Sequence, residues 1–86
     1  MASVAELKAA IEAALTQVTT AQVAVRGAAE ALTEAQQSLA AALEGSGHDA
    51  VSAAQAALTQ AAQELDDCLS ATVQVVEQAQ TYAATL

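Results

Sequence analysis

From Val4 onward a branched apolar residue returns at every seventh position: Val4, Ile11, Val18, Val25, Leu32 and Leu39. With this position called a, position d three residues on reads Leu7, Ala14, Ala21, Ala28, Ala35 and Ala42. A heptad sustained that long without a proline commits the segment to one long helix with a narrow apolar seam. The repeat breaks at Glu44-Gly45-Ser46-Gly47-His48 and then resumes, with Val51, Leu58, Leu65, Thr72, Ala79 and Leu86 at a. Ala54, Ala61, Cys68, Val75 and Tyr82 stand at the second d series. Two long helices joined by so short a break fold back on each other. The expected fold is an all-α antiparallel two-helix hairpin in a single domain, 1–86, with Ala-rich helices over about 4–44 and 47–85.

Local signals mark the ends. Ser3-Val4-Ala5-Glu6 reads as a capping box, in which Ser3 accepts from the Glu6 amide. Gly45 suits the left-handed conformation that closes a helix, and Ser46 with Asp49 three residues on suits the start of the next. Gly45, Ser46 and Gly47 therefore form the expected turn. A first helix of about 41 residues at 1.5 Å rise makes a rod of roughly 60 Å.

In an antiparallel pair, a of one helix meets d of the other. That rule pairs Leu39 with Ala54, Ala35 with Leu58, Leu32 with Ala61, Val25 with Cys68, Ala21 with Thr72 and Ile11 with Tyr82. Near the turn a large residue meets a small one, and the large one changes helix from layer to layer, as close packing requires. Position e is then left outside the seam. It carries Leu15 and Leu43 on the first helix and Leu69 and Val76 on the second, an apolar stripe on one flank that Val73 extends. Such a stripe marks an interface. A lone hairpin of this size buries little, so the expectation is a dimer, homotypic or with a similar hairpin, closing into a four-helix bundle through Leu15, Leu43, Leu69, Val76 and Val73.

Charge excludes several functions. The net charge is −8, and Lys8 and Arg26 are the only basic residues. Phosphate neutralisation needs clustered Lys and Arg, so nucleic acid is not the partner. An anionic membrane would repel the chain, and interfacial helices favour the aromatic and basic residues that this chain lacks. No basic-then-apolar leader opens the sequence, so the expected location is the cytoplasm, with signal-independent secretion open.

Chemistry-bearing residues are sparse. Glu64-Leu65-Asp66-Asp67 is the densest acidic group and reads as a solvated face, with no second histidine for a metal site. Cys68 is expected as a small buried hydrophobe opposite Val25. Thr72 can bond back to a carbonyl one turn earlier. Gly27 sits outward on the first helix, and His48 lies at the turn. There is no Gly-rich phosphate loop, no Ser-His-Asp set and no paired catalytic carboxylates. The expectation is a non-enzymatic protein with no catalytic, cofactor-binding or metal site and no small-molecule substrate.

Two long helices around Gly45-Ser46-Gly47, with Tyr82 near the C-terminus, resemble the Trp-X-Gly helical-hairpin superfamily of type VII secretion substrates. Ser46 stands in the turn where that family carries Trp, and Leu86 follows Tyr82 by four residues where the family carries an acid. The resemblance implies a four-helix dimer and a role as a secretion-linked small protein or companion of an effector. The alternative is a cytoplasmic adaptor, chaperone or immunity-type protein that covers an apolar helix of a partner.

Overall fold

A computed structural model describes residues 2–45 and 49–86. It contains two helices, α1 (Val4–Ala42) and α2 (Asp49–Ala84), packed against each other in a rod of 64 × 17 × 15 Å. The hairpin and its length are as the heptad requires.

The helix ends follow the local chemistry. Ser3 is extended at ψ 165° and its hydroxyl accepts from the Glu6 amide at 3.0 Å. Such a cap stabilises a helix by about 1 kcal/mol. At the other end the Leu43 amide donates to the Leu39 carbonyl. Two residues later Gly45 takes φ +82°, a backbone state that a side chain disfavours. α1 thus stops two residues short of the expected boundary because Leu43 and Glu44 form the reversal with Gly45. Ser46, Gly47 and His48 lie outside the described residues. α2 ends in short bonds from the Thr85 amide to Tyr82 and from the Leu86 amide to Ala83, the tightening that satisfies terminal carbonyls.

The seam differs from the expected one. Position a faces the partner helix, as the heptad predicts: Ile11, Val18, Val25, Leu32 and Leu39 are half-buried, as are Val51, Leu58, Leu65, Thr72 and Ala79. Its companion is position e and not position d. Leu15, Gln22, Ala29, Gln36 and Leu43 are buried or half-buried, and so are Gln55, Ala62, Leu69, Val76 and Ala83. At d, Ala14, Ala21, Ala28, Ala35 and Ala42 are exposed, together with Ala54, Cys68, Val75 and Tyr82, and only Leu7 and Ala61 are half-buried. The physical reason lies in what each choice covers. An e seam shelters Leu15, Leu43, Leu69 and Val76, while most d positions offer only a methyl group. Burying a Leu or Val side chain contributes about 1.5–3 kcal/mol.

The register shifts by one residue accordingly. Gln22 is bonded to Thr72 across the seam. Counting outward from that bond along antiparallel helices sets Val25 opposite Leu69, Leu32 opposite Ala62, Ala29 opposite Leu65 and Ile11 opposite Ala83. Large still meets small where Leu32 faces Ala62, Ala29 faces Leu65 and Ile11 faces Ala83, whereas Val25 with Leu69 and Val18 with Val76 set large on large. The burial alternates in steps of three and four along both helices, the 3.5-residue period that winds two helices into a left-handed supercoil.

Candidate interaction surface

The seam is narrow and partly wet. Among the described residues no hydrophobic side chain is fully buried, and the one buried side chain is Gln22, 9% exposed. Its Nε2 donates to Thr72 Oγ1 at 3.0 Å, and that hydroxyl donates in turn to the Leu69 carbonyl at 2.7 Å. A second polar group bridges the helices nearer the turn. Gln36 Nε2 donates to Thr59 Oγ1 at 2.9 Å, Thr59 donates to the Gln55 carbonyl, and Gln55 Nε2 donates to the Gln36 carbonyl at 3.4 Å. A buried amide without a partner would cost about 1–3 kcal/mol, so these bonds make the hydrophilic members of the e series compatible with the seam. They also fix the register, because a slip of one turn would separate them. Three glutamines at e are what the hydrophobic pattern alone hides. The available signal was Thr72, which gains a hydrogen-bonding partner only when the register moves by one.

The interface residues expected from the sequence change place. Leu15, Leu43, Leu69 and Val76 belong to the hairpin's own seam and do not form a separate stripe. Val73 does project outward, 44% exposed. Cys68 is exposed and free, not buried against Val25. Tyr82 is 52% exposed, not packed on Ile11. Both corrections follow from the loss of position d from the seam. Thr72 does bond back along its own helix. A side chain added at Gly27 would meet nothing within 4 Å, so packing between the two helices does not call for glycine there.

The seam has two unlike flanks. In an antiparallel pair joined through a and e, positions b and f of both helices share one side, and d and g share the other. The chain has two basic and ten acidic side chains. Seven of the twelve lie at b, e and f, namely Lys8, Glu12, Arg26, Glu30, Asp49, Asp66 and Glu77, and Glu44 lies in the reversal. Glu6, Glu34 and Asp67 stand at c on the outer edges. Glu64 alone occupies the d/g side. The bridging Gln36–Thr59 bond also lies on the charged side, as does a shallow groove at the open end lined by Lys8, Ile11, Glu12, Leu15, Gln80, Ala83 and Ala84. Another depression, lined by Ala29, Glu30, Thr33 and Glu34, is a surface of α1 alone.

The d/g side is therefore an almost charge-free face built mainly of alanine, from which Val75 (50% exposed) and Tyr82 protrude. Glu64 and Asp67 each accept from a glutamine one turn earlier, Gln60 and Gln63. No group of three or more metal-ligating side chains occurs among the described residues, and no helix there is long and apolar enough to cross a membrane. Comparison with family models, curated proteins and solved structures found no match.

Proposed function

We infer that this chain is a non-enzymatic interaction module, a helical hairpin that presents its nearly uncharged d/g face to another helical protein. The observation that supports this most is the segregation of charge. A hairpin that needed only to stay dispersed would gain from charges on both faces; here the d/g side carries Glu64 alone. The two depressions described above are open to solvent, unlike the enclosed clefts that usually hold a substrate. The glycine-containing reversal and the 64 Å rod favour a secretion-linked role, as a small exported hairpin or the companion of an effector. The adaptor alternative uses the same face on a partner that stays in the cell.

Two measurements separate these. A secretion-linked role predicts full-length protein in the culture medium, lost when the secretion ATPase is disabled; retention in the cells in both backgrounds would exclude it. Either role predicts that the immobilised chain retains one dominant helical partner, and that Val75→Glu abolishes the capture while Val73→Glu, on the charged side, does not. Equal capture by both variants would remove the d/g face from the function.

A further inference from the structure

The d/g face carries a more specific implication, resting on the interaction role above. The accessible surface is 6026 Å², whereas a compact chain of 8.6 kDa exposes about 4,700 Å². The hairpin thus leaves roughly 1,300 Å² uncovered beyond the usual for its mass, and a stable interface covers about 800 Å² on each partner. A face 64 Å long and 17 Å wide offers roughly 1,000 Å², enough for one such interface.

The chemistry of the face limits what can cover it. A basic partner would find only Glu64 there and would be drawn to the other side. The complement must itself be nearly uncharged, long, flat and made of small residues with a few large ones. The chain's own face has those properties. Its exposed large residues, Val75 and Tyr82, sit on α2, and the facing positions of α1 are mainly alanines, such as Ala14, Ala21 and Ala28, with the half-buried Leu7 at the open end. A two-fold axis along the rod lays α2 of each copy over α1 of the other and sets large on small. Each copy carries −8, but apart from Glu64 the charges then lie on the outer edges or point away from the contact across layers 15 Å thick, beyond the screening length of about 8 Å at physiological salt.

We propose that a second copy of this chain covers the d/g face, closing two hairpins into a four-helix bundle with Cys68, Val75 and Tyr82 inside. Sedimentation equilibrium of the full chain tests it, paired with the rate at which a thiol reagent modifies Cys68. The expected mass is twice 8.6 kDa, and Cys68 should react more slowly as protein concentration rises. Val75→Glu should weaken the dimer at least about 30-fold with helicity kept, and Val73→Glu should leave it intact. A wild-type monomer with concentration-independent Cys68 reactivity overturns the proposal, as does a dimer disrupted by Val73→Glu and not by Val75→Glu. If the wild type is monomeric yet Val75→Glu still abolishes capture of a partner, the self-association fails while the interaction role stands.

Discussion

Leu32→Asp is expected to unfold the hairpin. Leu32 sits at the a position of the third turn from the reversal, half-buried and facing the small Ala62. Removing a Leu side chain from a packed site costs about 2–5 kcal/mol, and partial exposure puts this site near the lower end. Placing a carboxylate in the same gap adds a desolvation cost, since no basic residue lies within one turn of it on α1. A loss of about 3 kcal/mol or more is a large part of the 4–13 kcal/mol expected for 86 residues. Circular dichroism should show most of the helix gone at room temperature. A melting temperature within a few degrees of the wild type would show that Leu32 does not face the second helix.

Leu69→Asp is expected to do nearly as much damage, and it separates the two registers. With d in the seam, Leu69 would lie outside it, and the substitution would leave the monomer nearly as stable. With e in the seam, Leu69 is half-buried opposite Val25, and its carbonyl anchors the Thr72 hydroxyl that receives the Gln22 amide. The expected cost is about 2–3 kcal/mol. Val73→Asp, one helical turn along on the charged side, controls for an added acid in α2 and should change stability by no more than about 0.5 kcal/mol. Chemical denaturation of both variants, at concentrations too low for self-association, is the measurement. Equal midpoints would contradict the e seam.

Much of the fold was legible because it depends on features that a sequence displays directly. The Ser3 cap, the Gly45 reversal and the a positions need only local chemistry and a seven-residue period. The partner of position a was harder to read. Hydrophobicity ranks alanine above glutamine, so Ala14 through Ala42 at d looked like the inner series and Gln22, Gln36 and Gln55 at e looked like the outer one. Pair geometry reverses that order. Glutamine has a long apolar stem and an amide that finds a partner across the seam, whereas alanine contributes one methyl group. The candidate surface moved with the seam. The stripe Leu15, Leu43, Leu69 and Val76 turned inward, and the free apolar face became the d side, with Cys68, Val75 and Tyr82. Val73 stayed exposed because position b lies outside both arrangements.

The pairing through a and e is open to direct inspection by a nuclear Overhauser experiment on the methyl groups of the labelled chain, run at low concentration. The seam described here predicts cross-peaks between Val25 and Leu69, between Val18 and Val76, and between Ile11 and Ala83. Cross-peaks joining Val18 to Val75 and Ile11 to the Tyr82 ring, with none between Val25 and Leu69, would contradict it.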